Sequence, residues 1–302
     1  MSSATEDRRL LAIGARLAAV TTIALMYALV KIADGRGVHI VESLFYRQLF
    51  AVPLVAIWVA VGPGFSSLKT DRPAAHGWRM AVGMCGMVLN FSTFILLPLA
   101  EATTIGFTVP MVTTILSALV LRESTGLHRW AAVILGFLGV LVVVQPGQST
   151  LPAAGVAVGL CAALAVSCVN ITLRQIGRTE SATTTVFWFT VSSLIPVGIA
   201  MLFFARSHDG LTWLLLVLIG LTGGLAQLML TTSLRWAPVS VVLPFDYLML
   251  LWTAALGWLM FGDLPSHTTW LGAPLIIASG LYIAYREHKI HRERTAVTAP
   301  MD

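Results

Sequence analysis

Asp246 is the deepest ionisable residue in a largely apolar chain, about eight residues into a run from 238 to 261, or roughly 12 Å from its end. A carboxylate there could take a proton or bind an ammonium group. The alternative is a helix–helix hydrogen bond beside Pro244, satisfying backbone freed by the proline. Lys31 and Arg47 occupy outer portions of the first two apolar runs, where each suits an anionic group such as a carboxylate. Snorkelling of a long basic side chain to the headgroups competes with that role. Tyr27 shares a helical face with Lys31, and Asn170 with Arg174, because residues four apart are neighbours. Asn90 and Gln227 offer hydrogen bonds to a polar ligand or to a neighbouring helix. Tyr46 and Tyr247 add hydroxyls beside Arg47 and Asp246. Of nine tryptophans, Trp188 and Trp252 sit furthest from the run ends and could wall a pocket; lipid-facing packing is the alternative, and the other seven read as an interfacial belt. Pro110 and Pro244 are the candidate hinges, with permanent kinks as the competing reading.

The elements that must position these residues follow from composition. Hydrophobic residues make up 57% of the chain and charged residues 11%, which a water-soluble domain cannot present without exposing large apolar area. Apolar stretches of about 20 residues cross about 30 Å of hydrocarbon as helices. They fall near 11–33, 42–61, 77–97, 101–121, 128–145, 153–174, 182–204, 211–234, 238–261 and 267–286. The chain therefore reads as an all-α integral membrane protein with ten transmembrane helices. The first run is too long for a signal-peptide core and is expected to remain as a span.

The chain is also duplicated. Adding 137 to Gly83, Gly86, Asn90, Ala100 and Thr103 gives Gly220, Gly223, Gln227, Ala237 and Ser240. Trp130 matches Trp270 at an offset of 140, and Tyr27 and Pro53 match Asn170 and Pro196 at 143. Each copy holds five spans, an odd number, so the second copy is inverted in the membrane. The expected divisions are a tail at 1–10, a first five-helix repeat at 11–147, a second, inverted five-helix repeat at 148–286, and a basic tail at 287–302. If the N-terminus is cytoplasmic, the inside regions hold fifteen Lys and Arg residues against two outside, Arg36 and Arg206, with Lys31 and Arg47 inside spans: 15 + 2 + 2 is the 19 of the chain. The expectation is a bacterial-type inner membrane protein with both termini cytoplasmic. On this count Arg16, Arg79, Arg129 and Arg174 are topology charges.

The fourth-span pattern Ala100 to Pro110, followed by Leu121-Arg122-Glu123, Trp130 and Gly136-Phe137-Leu138-Gly139-Val140, is echoed around Ala237-Pro238, Gly262-Asp263, Trp270 and Ser279-Gly280-Leu281. With the duplication and span count, the chain resembles the ten-helix carriers of the drug/metabolite transporter superfamily, the EamA-type transporters. The resemblance implies a secondary carrier, commonly an exporter of amino acids or related metabolites.

Other chemistries lack their motifs. There is no GxxxxGK, HExxH, GxSxG or strand-borne GxGxxG, so no catalytic residues, metal or cofactor are expected. The basic residues form no nucleic-acid groove. The seven histidines lie in loops and the tail, the three cysteines read as small buried residues, and Glu123 and Asp263 read as loop-end caps or salt bridges. The paired glycines Gly83/Gly86, Gly155/Gly159 and Gly220/Gly224 are expected to permit close helix packing. The sequence thus leads to alternating-access export of a small metabolite, with amino acids, large apolar or aromatic ones included, as the expected cargo. Uptake or exchange of another organic solute is the runner-up, and a channel or receptor the reading from another class. The expected partners are the solute, the bilayer and protons as a coupling ion, with the oligomeric state open.

Overall fold

The computed structural model describes residues 2–120, 126–146 and 151–297, so Arg122 and Glu123 lie outside the described residues. In hydrocarbon a backbone N–H or C=O has no water to bond, and a helix satisfies these groups within one segment. Ten helices are long and apolar enough to cross a membrane: Arg8–Gly35, Ile40–Val61, Pro73–Leu96, Leu99–Val120, Leu127–Val144, Ala153–Ile176, Ala182–Phe204, Gly210–Trp236, Leu243–Phe261 and His267–Arg286. They are called the first to tenth spans below. The first helix begins before its span, at Ser2, and the last continues to Val297.

The ends are set by side chains. Ser181 Oγ accepts from the Thr184 N–H at 3.0 Å and Asp209 Oδ1 from the Thr212 N–H at 3.2 Å, opening the seventh and eighth spans. Gly262, at φ +72°, closes the ninth in a left-handed turn that favours glycine. Hydroxyls inside the spans return to the preceding turn, as Thr103 does to Leu99 O at 2.9 Å and Thr104 to Ala100 O at 2.8 Å.

Two spans are interrupted. The fourth breaks at Phe107–Thr108, between Leu99–Gly106 and Val109–Val120, and the ninth opens with a 3₁₀ turn over Leu243–Tyr247. Adding 137 to Phe107 gives Pro244, so the copies break at matching positions. Pro110 and Pro244 stand at these breaks.

Packing repeats the duplication. The first span lies against the eighth as the sixth lies against the third, and the second and seventh meet each other, as do the fifth and tenth. Exchanging the copies turns each of these pairings into itself or its mate. Gly220 admits Tyr46, whose carbonyl would lie 2.6 Å from an added Cβ, while its mate Gly83 admits Phe189, whose Cε2 would also lie 2.6 Å away. Tyr46 and Phe189 are themselves mates at 143. Between the fifth and tenth spans, a Cβ on Gly272 would stand 2.5 Å from Gly139 O. The mates of that pair, Ala132 and Ser279, also touch: Ser279 Oγ donates to Ala132 O at 2.5 Å. The glycines serve close packing as expected, since Gly155 abuts Leu97, Gly159 abuts Ile105 and Thr93, and Gly224 abuts Ala51. The protein is an inverted-repeat, all-helical membrane bundle.

Two expectations are corrected here. Cys85 and Cys161 are exposed rather than buried, because helical rotation carries them to the bundle's periphery, where an apolar thiol suits lipid. His76 is inside the third helix and 5% exposed, so it is not a loop residue; its Nε2 lies 3.8 Å from Glu180 Oε2.

Candidate functional site

The first span begins, and the tenth ends, on what is here called the terminal face. A cavity of about 980 Å³ enters the bundle from that side, bounded by the first, fourth, fifth, sixth, eighth, ninth and tenth spans. Its rim includes Arg129 near the start of the fifth span and Arg174 in the last turn of the sixth; its floor includes Phe107, Pro110 and Tyr247, at the two helix breaks. The ring centroids of Phe107 and Tyr247 are 4.9 Å apart, edge to face.

Asp246 lines this cavity and is paired. Arg16 Nε donates to Oδ1 and Nη2 to Oδ2, both at 2.5 Å, a bidentate contact joining the first span to the ninth. The side chains are 10% and 32% exposed, so Arg16 is buried beneath a carboxylate that still meets the cavity. Arg16 therefore has a fixed partner within the bundle, beyond the topology role its position implied. Two carboxylate oxygens facing a planar guanidinium satisfy both charges with good geometry. A ligand ammonium would have to compete with that arrangement.

One wall is a polar stripe of the fourth span: Pro110, Thr113, Thr114 and Ser117, spaced i, i+3, i+4, i+7 and so on one helical face. The Thr114 hydroxyl returns to Pro110 O at 2.8 Å. Those of Thr113 and Ser117 are buried without a partner among the described residues, as is Arg129 Nε. Buried polar groups rarely go unbonded, so these are binding capacity offered to a solute or water. The stripe was visible in the sequence as a helical run of hydroxyls, but it was not singled out there.

The structure brings Asn170, Asp246 and Tyr247 together with Pro110 at this cavity, with Pro244 beside its floor. Other predicted residues lie elsewhere. Lys31 Nζ donates to Leu97 O at 2.6 Å, at the junction of the third and fourth spans. Tyr27 stacks on Phe94, centroids 3.8 Å apart, and Tyr46 meets Trp213 edge to face at 5.1 Å. Arg47 donates to Gln48 Oε1, and Gln48 Nε2 donates to Ser193 Oγ. Asn90 Oδ1 is buried without a protein partner, and Gln227 is half-buried in the eighth span. Trp188 Nε1 donates to Leu68 O at 2.9 Å, anchoring the loop between the second and third spans. Trp252 is 44% exposed and outside the cavity lining.

The face opposite the termini is tied together by polar contacts between the spans. Glu101, 2% exposed, accepts through Oε1 from the Ser266 N–H and the Thr269 hydroxyl, each at 3.0 Å, joining the fourth span to the tenth. Glu42, fully buried, accepts from Arg206 N at 3.0 Å and pairs with His208 Nε2 at 2.8 Å. Arg36 reaches Asp209 Oδ2 at 2.7 Å and Thr212 Oγ1 at 2.8 Å. Hydrogen bonds from Thr212 and the nearby Arg36 charge hold the Asp209 carboxyl below its usual range. Neither Glu42 nor Glu101 drew notice in the sequence, although each is an acid within an apolar run.

Comparison with known proteins fits this architecture. The EamA-like transporter family model matches residues 10–145 and again 153–285, one match in each half. A riboflavin transporter of Rhizobium johnstonii is 32% identical over 233 residues, 76% of each chain. An S-adenosylmethionine uptake transporter of Rickettsia prowazekii is 27% identical over 256 residues, 84% of this chain and 86% of the relative. A solved crystal structure with 19% identity superposes with a TM-score of 0.60, covering 92% of this chain and 98% of its own, and supports the fold. These relatives lend no support to amino-acid export, and an uptake role is better represented among them. With its ten spans and matched family model, this chain is a multi-pass membrane transporter of small metabolites rather than an enzyme, and it belongs to the EamA-like transporter family.

Proposed function

We propose that the protein is an uptake or exchange carrier for a ring-bearing, hydroxylated solute of the riboflavin type, working by alternating access. The observation that carries this reading is the cavity of about 980 Å³, which pairs aromatic rings with free hydroxyls. That volume lies at the upper end of the ~300–1,000 Å³ range of small-molecule sites and is generous for one amino acid. Phe107 and Tyr247 offer ring edges and faces, Thr113 and Ser117 offer unpaired hydroxyls, and Asn170 an amide. The 32% identical relative named a riboflavin transporter makes that vitamin the first solute to test.

The cavity opens on the terminal face, which the positive-inside bias assigns to the cytoplasm of an inner membrane. In that orientation the observed state is inward-facing, ready to release an imported solute. The halves 11–147 and 148–286 serve as the moving bodies, and the breaks at Pro110 and Pro244 as the hinges through which one end closes while the other opens. Arg16 and Asp246 join first and second halves at the cavity, so solute groups that hydrogen-bond Asp246 would loosen the link that holds this state.

The test is counterflow of labelled riboflavin, S-adenosylmethionine and a panel of amino acids in proteoliposomes. Saturable riboflavin exchange, reduced at least tenfold by Asp246→Asn, is the expected result. Amino-acid exchange with no riboflavin flux would overturn the solute class. Unsaturable flux of every solute would make the protein a channel.

A further inference from the structure

The large cavity leaves two half-buried cations unexplained. Arg79, six residues into the third span, turns inward and lies over the Phe189 ring at 4.3 Å, with Nε and Nη1 buried and, among the described residues, unpartnered. A topology charge would instead reach water at the terminal face. Among the described residues, Arg47, in the second span, has a buried Nε without an acceptor and a single hydrogen bond, to Gln48. The two are linked through the seventh span: Phe189, which meets Arg79, and Ser193, which accepts from the Gln48 that Arg47 bonds, are one turn apart. Among the described residues neither forms an ion pair with a carboxylate.

The backbone makes room for both. A Cβ on Gly83 would stand 2.1 Å from Arg79 Nη1 and 2.6 Å from Phe189 Cε2, so a larger residue there would displace the guanidinium or the ring from this arrangement. A Cβ on Gly223 would meet Arg47 Cγ at 3.0 Å and Nε at 3.1 Å. Like charges near each other repel, and their buried N–H groups forfeit hydration, of which an aromatic face and one amide replace little. What three unbonded N–H groups lack is an acceptor with negative charge. Planar guanidiniums match oxyanions in geometry as well as sign.

We propose that Arg47 and Arg79 form a binding site for an oxyanion of the carboxylate or phosphate class, set between the second, third and seventh spans and distinct from the Arg16–Asp246 cavity. The anion has two conceivable sources: a group carried on the transported solute, or a free inorganic ion. The site itself does not depend on which solute the cavity carries.

The experiment uses the purified full chain in detergent and reads thermal unfolding and direct binding rather than flux. Sodium phosphate is titrated against sodium chloride at matched ionic strength, and riboflavin 5′-phosphate is compared with riboflavin. A free-ion site predicts that phosphate alone raises Tm saturably. A solute-group site predicts that the phosphate ester binds more tightly than riboflavin, by about tenfold for one charge-assisted contact. In either case Arg79→Gln and Arg47→Gln weaken the anion response by about tenfold or more, while Arg36→Gln, in the surface pair with Asp209, leaves it intact. If Arg79→Gln does not fold, Arg79→Lys keeps the charge without the planar fork and is expected to show the weakened response. The proposal is overturned if the native chain distinguishes neither phosphate from chloride nor the ester from riboflavin, or if the substituted chains respond as the native one does. Because binding is read without transport, these outcomes stand apart from the fate of the riboflavin assignment.

Discussion

The start of the fourth span and the start of the ninth are the same element in two copies, yet one is clamped and the other frames an opening. At the face opposite the termini, Glu101 ties the fourth span to Ser266 and Thr269 of the tenth. Inversion carries that junction to the terminal face: 101 + 137 gives Pro238, 266 − 140 gives Gly126, and 269 − 140 gives Arg129. The acceptor has become a proline, and one of the donors an arginine whose Nε is unpartnered at the cavity rim. The fold is nearly symmetric while the sequence is not. In an inverted-repeat carrier the two end states are related by exchanging the conformations of the copies, so a polar clamp present in only one copy biases which end is closed.

The largest effect is expected at the terminal end's own link. Asp246→Ala strands Arg16, which is 10% exposed. Losing one partner of a buried pair costs about 3–5 kcal/mol, and the partial exposure of Asp246 places this case near the lower figure. Thermal unfolding in detergent should show it, and Asp246→Ala with Arg16→Met should recover most of the stability without recovering transport. A fully stable single variant would mean that the pair does not hold the two halves together.

Next is the clamp itself. Glu101→Gln weakens two charge-assisted bonds worth about 1.5–3 kcal/mol each, enough to shift the balance of end states by about tenfold or more. Spin labels at Leu96→Cys and Leu264→Cys, in a background without the native cysteines, should separate at that face in the variant. An unchanged distance distribution would remove Glu101 from the account of the asymmetry. The converse is to transplant the clamp with Pro238→Glu and Arg129→Thr. This should close the terminal end and slow counterflow by about tenfold if one such contact forms.

A smaller loss, about 1–3 kcal/mol, is expected for Gly272→Ala, whose Cβ would press on Gly139 O from 2.5 Å. This self-paired contact belongs to both end states, so stability should fall with no change in the label distances. Smallest is the surface pair. The Asp209 carboxyl is held below its usual value, so its contribution is present above the ordinary Asp pKa near 4 and is lost as pH falls through the lowered value. The Tm difference between the native chain and Asp209→Asn should shrink below about pH 4. A difference that grows in acid would contradict the Asp209–Arg36 assignment.

The spans, their number and the inversion were legible because hydropathy and an odd span count need no knowledge of neighbours. The breaks were legible too, since proline marks them. Azimuth was not. Positive-inside counting treats Arg8, Arg16, Arg79 and Arg129 alike, although only the rotation of each helix decides which of them meets lipid, water or another span. Arg16 and Asp246 are 230 residues apart, and nothing local announces their pairing. Asp246, Tyr247 and Asn170, which line the cavity, were singled out because polarity inside an apolar run is costly wherever it points. Glu42 and Glu101 satisfied the same rule and were passed over near run ends, where a cap would serve as well. Trp188, bonded to Leu68 O, and Trp252, 44% exposed, part ways in the structure because depth along a helix does not say which face a ring occupies.

The bidentate Arg16–Asp246 contact has an electrical consequence. As an intact pair it carries no net charge, so a reorientation that keeps it closed moves nothing through the membrane potential. A lone Asp246 crossing the same field would be worked on by about 2.3 kcal/mol per 100 mV. On the proposed alternating-access cycle, the return of the empty carrier therefore has a turnover that this carboxylate does not make sensitive to voltage.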